Sequence, residues 1–323
     1  MKFTEDMLRQ YAAPLSATED QQCKNAIAMI RDALKLFGFT DDGQVIGKLY
    51  EDTLAYSLRM RKSDNSRQIK LFVQGSYANN TCVRKESDVD IAVIQEERWY
   101  PIYRPGITGE HYGFATASVP TVTFKDEVQQ VLQHKFGGDV ERKNKSIKVH
   151  GNTYRKDADC VPSVRQRDYS NDYRIDRYNF VGGIVITADD GTRIINYPEQ
   201  HIENGKVKNN ETSTYYKKMV RIIKKMRYLM IEQGISSAVE VSSFGLESLL
   251  WNIPNDVFLK YVPIYSSVFS ELVSYLQRNI HLLHHYKEAN GIKPLCQDNS
   301  SKQTYESFIK DLSLFFEYDI QEG

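Results

Sequence analysis

The tightest constraint in this sequence is the run Leu71-Phe72-Val73-Gln74-Gly75-Ser76, followed after eleven residues by Asp88-Val89-Asp90-Ile91-Ala92-Val93. An apolar β-type run delivers Gly-Ser into a turn, and a second apolar run begins with two aspartates. Alternation along a strand puts Asp88 and Asp90 on one face, with Val89 and Ile91 on the other. Two carboxylates aligned in this way repel each other unless cations lie between them. Magnesium, a hard ion that prefers oxygen ligands, is the natural partner. Gly75 has no side chain, so backbone there can approach a phosphate closely. The Ser76 hydroxyl, beside backbone N–H groups, suits a β- or γ-phosphate. A lone D-x-D is common, and an acidic hairpin face would explain it. The full combination is far more specific.

A two-metal site wants a third carboxylate from a neighbouring strand. Asp159 in Lys156-Asp157-Ala158-Asp159-Cys160-Val161-Pro162 directly precedes an apolar run and is the preferred candidate; Asp157 shares its face and competes. Charge limits the partners: 42 Lys and Arg balance 42 Asp and Glu. That balance argues against a histone-like polyanion binder but leaves room for a local basic cleft. Four scattered cysteines match neither a disulfide framework nor a zinc ribbon. The N-terminus has no apolar signal segment, and no run of about 18 apolar residues occurs. A cytoplasmic protein with no membrane partner is expected.

At 323 residues the chain has room for roughly two domains. A helix opens at Thr18 with a Thr18/Gln21 capping box, carries apolar residues from Cys23 to Phe37, and closes at Gly38. A second helical stretch is expected over about Val45 to Met60. Short β-type runs follow at Ile69–Val73, Val89–Ile94, Ser146–Val149, Asp159–Val164 and Phe180–Ile186, with a helix near Phe124–His134. After Glu211 the period becomes helical, in the stripe Met219, Ile222, Ile223, Met226, Leu229 and Met230, then near Leu246–Trp251, Ile264–Leu283 and Tyr305–Phe316. The predicted class is α+β with two lobes. The basic run Arg142-Lys143-Asn144-Lys145 reads as a solvated loop.

The acid pattern resembles that of the DNA polymerase β-like nucleotidyltransferase superfamily and, within it, the cGAS/DncV-like nucleotidyltransferases (CD-NTases) of bacterial anti-phage signalling. Ile195-Asn196-Tyr197-Pro198, His201, Glu203-Asn204-Gly205, Lys208-Asn209 and Val220-Arg221-Ile222-Ile223-Lys224 look like the family's central region. Ser243-Phe244-Gly245-Leu246-Glu247 and Trp251-Asn252-Ile253-Pro254 look like its next helix. The match runs from about Leu71 to Pro254 and is similar to the clade-E enzymes that make pyrimidine-containing cyclic dinucleotides.

The resemblance implies a polymerase β-like lobe with a mixed sheet over residues 1–205, packed on a helical C-terminal lobe over residues 206–323, with NTP bound between them. It implies that Asp88 and Asp90 hold two magnesium ions, with manganese as a substitute, and that Asp159 binds the ion that activates the attacking hydroxyl. Gln74, Gly75 and Ser76 would meet the nucleotide, Lys224 and Ser243 the triphosphate, and Phe244 the base from beneath. Phenylalanine stands where tyrosine is commoner, so a hydroxyl contact is lost while stacking survives. Asn196 would read uracil, since its amide both donates and accepts. Each has a plainer explanation: a solvated lysine on the polar face of its helix, a helix-cap serine, a core aromatic, a turn asparagine.

The implied product is a uridine-containing cyclic dinucleotide made from UTP and ATP by a monomer, and it acts on a cyclic-nucleotide-activated effector. The terminal Gly323 is either a frayed end or a point of attachment through a ubiquitin-transfer-like partner. The rival readings are a linear or macromolecular nucleotidyltransferase and a non-catalytic nucleotide-binding scaffold.

Overall fold

The computed structural model describes residues 3–42, 47–48, 53–64, 66–84, 88–116 and 122–317. Its strands are β1 (Phe39–Asp41), β2 (Gly47–Lys48), β3 (Tyr56–Lys62), β4 (Gln68–Gln74), β5 (Val89–Tyr103), β6 (Val140–Arg142), β7 (Ile147–Val149), β8 (Ala158–Tyr169), β9 (Val181–Thr187) and β10 (Arg193–Asn196). The helices are α1 (Glu5–Ala12), α2 (Ala17–Leu36), α3 (Gly75–Ala78), α4 (Phe124–Phe136), α5 (Pro198–Glu211), α6 (Tyr215–Glu232), α7 (Ser236–Glu240), α8 (Ser243–Trp251), α9 (Asn255–Leu259), α10 (Tyr265–Arg278) and α11 (Asn299–Glu317). The predicted α+β class holds. The chain divides into a sheet unit (Ser16–Ala78 and Asp88–Glu199) and a helical unit (Met1–Leu15, Asn79–Ser87 and Gln200–Gly323). The chain crosses between units more often than the single cut after residue 205 expected from sequence.

In the sheet unit the strand order is β1-β3-β4-β5-β8-β7-β6, with β2 on β3, β9 on β8 and β10 on β9. Among the described strands, β5 and β8 pair in parallel and the other pairs are antiparallel, so the sheet is mixed. Val89, Ile91, Ala92, Val93 and Ile94 are all buried, the near-continuous apolar run that a central strand covered on both faces requires. Helices α2 and α4 pack on this core.

Local chemistry shifts one boundary and sheet pairing replaces one expected helix. Helix α2 starts earlier than expected because Ser16 and Glu19 form the capping box, in place of Thr18 and Gln21. The Glu19 carboxylate also suits the positive end of the helix dipole, which a glutamine does not. Gly38 ends the helix with φ +83°, as expected. The helix expected over Val45 to Met60 is not formed where the chain is described: β2 and β3 occupy part of it, and residues 43–46 and 49–52 lie outside the described residues. Leu58 and Met60 are buried and Arg59 between them is exposed, a period of two set by pairing Leu58 with Leu71 and Met60 with Ile69. Sheet pairing has overridden a helix-like spacing.

Strands β5 and β8 outrun their expected ends by several residues. An aromatic cluster holds the extension: Tyr103 stacks on Tyr169 at 5.7 Å, and the Arg167 guanidinium lies 4.0 Å from the Trp99 ring centre. Helix α5 had no expectation at all, because its polar sequence shows little apolar period. The basic run at Arg142 is tied into ion pairs, with Arg142 on Asp126 (2.8 Å) and Asp189 (2.7 Å).

The helical unit buries α6 on almost every side. Met219, Val220, Ile222, Ile223, Met226 and Met230 join Leu8 of α1, Leu246 and Leu249 of α8, Phe269 of α10 and Phe308 and Leu312 of α11 in one core. Lys217, Arg221 and Lys224 of the same helix are buried too. No helix among the described residues is long and apolar enough to cross a membrane. Gly323 lies outside the described residues.

Removing the cap tests the start of α2. Ser16→Ala should cost about 0.5–2 kcal/mol, seen as a lower urea midpoint with an unchanged slope; an unchanged midpoint would show that the cap carries nothing.

Candidate active site

Register brings the three acids together. Asp90 pairs with Gln74 of β4 on one side and with Asp159 of β8 on the other. Asp88 lies just before β5, where the Val89 amide donates to the Asp157 carbonyl at 3.0 Å. Gly75 enters α3 with φ +70°, and a Cβ placed on it would overlap Asp90 Oδ2. Only glycine permits this approach. The turn is anchored through Tyr77, which is buried and whose hydroxyl donates to Asp20 of α2 at 2.7 Å. Helix α2 also steadies the loop ahead of β8: Gln22 and Asn25 donate to the carbonyls of Thr153 (3.0 Å) and Tyr154 (2.8 Å).

Electrostatics separates the two candidates for third acid. Burial first, then the charge of Asp159, pushes the Asp88 carboxyl above its ordinary range. Burial would also raise Asp157, but Lys148 at 2.7 Å and the Gly151 amide at 2.6 Å hold it below. Asp157 is therefore committed to an ion pair. Asp159 accepts from the Ser146 hydroxyl at 3.0 Å and stands opposite Asp90. Carboxylate oxygens are the donor set that magnesium takes. Among the described residues no three His, Cys, Asp or Glu side chains close into an ion-holding cluster.

Asn196 ends β10, half-buried, opposite Ile184, which in turn pairs with Arg165 of β8. Arg165 lies six residues along β8 from Asp159, so strand alternation places Asn196 on the acids' face of the sheet. Arg165 itself bonds Glu96 at 2.8 Å and faces Glu199 at 3.3 Å. Gln74 and Ser76 are half-buried at the end of β4 and the start of α3.

The remaining expected residues lie in the helical unit. Ser243 opens α8, but the capping side chain is Ser242, which accepts from the Gly245 amide at 2.9 Å. Phe244 is 38% exposed, so it is not a core aromatic. Its ring meets His201 edge-on, with centroids 5.0 Å apart.

Lys224 is not the solvated lysine of the plainer explanation. It is buried, and its ammonium donates to Glu247 at 2.8 Å and to the Thr81 hydroxyl at 3.1 Å. The helix is enclosed on the side that the sequence pattern left polar, so no solvated lysine face exists there. Glu247, 1% exposed, also meets His201 at 2.9 Å and accepts from Thr81 at 2.8 Å. Sequence reasoning assigned no role to Glu247 or Thr81; a lone glutamate within the apolar Leu246–Trp251 helix was the available signal.

Burial would raise Glu247, yet Lys224, His201 and their hydrogen bonds hold it well below the carboxylate range. A depressed folded-state value means stability that is present above about pH 4.3 and is lost as pH falls further. Glu247→Gln should therefore cost about 3–5 kcal/mol at pH 7 by leaving the lysine unpaired. Urea unfolding between pH 7 and pH 3 should also show a shallower acid loss than in the parent protein. An equal acid slope in both would refute the pairing.

Comparison with known proteins places this geometry. Residues 203–317 match the cGAS/DncV-like nucleotidyltransferase C-terminal helical domain. The cyclic GMP-AMP synthase CdnE03 of Staphylococcus schleiferi is 46% identical over 98% of both chains. The cyclic dipyrimidine nucleotide synthase CdnE of Cecembia lonarensis is 35% identical over 86% of this chain and 84% of its own. The structure of the Elizabethkingia meningoseptica CdnE cyclic dinucleotide synthase with GTP and Apcpp superposes with a TM-score of 0.72 at 29% identity, covering 98% of this chain and all of that one. Similarity of this extent, with the acid-bearing strands and the helical unit both present, shows that the chain belongs to the cGAS/DncV-like nucleotidyltransferase family, in the company of its CdnE members.

Proposed function

We propose that the protein is a magnesium-dependent cyclic dinucleotide synthase, joining two NTPs with release of pyrophosphate. The carrying observation is the alignment of Asp90 between Gln74 and Asp159, with the Gly75 backbone against its carboxylate. Asp88, Asp90 and Asp159 are the residues that would hold the ions, and bound magnesium would neutralise phosphate charge during in-line displacement. The chain's own contribution is positioning: Gly75 and Ser76 cradle the triphosphate with Gln74 beside them, Ser243 bonds it, and Phe244 supports a base. Lys224 would reach the triphosphate only by leaving Glu247. A ribose hydroxyl of one nucleotide attacks the α-phosphorus of the other, pyrophosphate departs, and a second round closes the ring. The reading extends to a cytoplasmic monomer whose product activates an effector in anti-phage defence.

ATP is the expected shared substrate. For its companion, two observations pull apart. The amide of Asn196, on the acids' face, matches the O4 acceptor and N3–H donor of uracil, and the C. lonarensis relative makes cyclic dipyrimidines by name. The 46% identity with a cyclic GMP-AMP synthase, over 98% of this chain, supports GTP.

Product analysis with each NTP omitted in turn decides between them. Loss of product without UTP, and a shift towards purines in Asn196→Ser, would establish the uridine reading; undiminished product without UTP would establish GTP. The double variant Asp88→Asn with Asp90→Asn should lower turnover at least about 10²–10³-fold while its melting curve stays cooperative. Parental turnover by this folded variant would refute the mechanism.

A further inference from the structure

We propose that His201 is a positioning residue for the nucleotide base: held by the buried Glu247–Lys224 pair, it fixes the exposed Phe244 ring in the orientation that stacks. This rests on the reading of Phe244 as the base platform. Phe244 and Glu247 are three residues apart on α8, so their side chains share one face of the helix. His201, on α5, touches both. Its Nε2 lies 2.9 Å from Glu247 Oε1, and the Phe244 ring packs on it at 78° and 5.0 Å. The Asn79 amide nitrogen stands 3.2 Å from both ring nitrogens.

The imidazole is thus held at its Nε2 edge by Glu247, with the Asn79 amide against the ring, and it also meets Phe244. His201 is 5% exposed and Glu247 1%, whereas Phe244 keeps 38% of its surface free. The order of support runs inward, from an open ring to a closed imidazole to a fully enclosed carboxylate with two further donors, Lys224 and Thr81. An apolar core could hold a helix together with less desolvation. What a bonded imidazole adds is a fixed ring plane, since an edge-to-face contact depends on orientation. Lys224 then acts on the nucleotide through Glu247 and His201.

The test compares Phe244→Ala, His201→Gln and the two combined in the full chain, each checked for a cooperative melt. His201→Gln keeps a hydrogen bond to Glu247 and removes the ring surface. It should raise KM for the NTPs about 5–20-fold with kcat within about twofold. Inhibition by inorganic tripolyphosphate, which has no base, should stay unchanged. In the Phe244→Ala background it should add nothing. If His201→Gln does not fold, His201→Phe, which keeps a ring without the bond to Glu247, should show the same base-selective rise. Unchanged KM in the folded His201 variant beside a raised KM in Phe244→Ala would overturn the positioning role alone. So would full additivity of the two, or an equal weakening of tripolyphosphate. Unchanged KM in Phe244→Ala would overturn the platform reading and this proposal together.

Discussion

Everything in the sheet unit depends on one close approach, the Gly75 backbone against the Asp90 carboxylate. It requires a residue without a side chain at a positive φ, at the end of a strand whose register is already set. Antiparallel pairing of β4 with β5 puts Gln74 beside Asp90, and parallel pairing of β5 with β8 puts Asp159 on the other side. A slip of one residue in either ladder would turn a carboxylate to the apolar face. The buried run Val89 to Ile94 guards against that slip, because the same slip would push a carboxylate into the core.

The helical unit depends on a different bargain. Glu247, Lys224, His201 and Thr81 are all taken out of water, and only mutual satisfaction makes this tolerable. A network of this kind contributes little net stability compared with apolar packing, but breaking one member is costly. What it supplies is a single geometry at the end of α8, where Ser243 and Phe244 stand. The two units thus fix their candidate residues by opposite means, one by apolar pairing beneath half-buried acids and the other by buried charge beneath an exposed ring.

Much of the site was legible because its signals are local. Gly-Ser after a β-run, D-x-D before another, and an acid ahead of a third apolar run can all be seen within short windows, and strand alternation converts them into a face. The preference for Asp159 over Asp157 gains a physical reason, since Asp157 is paired with Lys148. Lys224 shows where local signals stop. Helical periodicity separated it from the Met219–Met230 stripe, but periodicity describes one helix against one neighbour, and α6 is enclosed on several sides. The strand at Tyr56–Lys62 escaped for a related reason, since pairing with β4 outweighed its helical spacing.

The sequence by itself determined the candidates for chemistry (which carboxylates, which glycine and serine) and the family to which their spacing points. It also determined the capped helix that begins the sheet unit and the helical character of the C-terminal third. Only the tertiary structure decided what each charged group is paired with. Asn196 reaches the acids' face through three paired strands, and Glu247 gathers partners from residues 81, 201 and 224. The physical reason is range. Propensity, capping and alternation act over a few residues, whereas burial of a charge is settled by whichever distant segments enclose it.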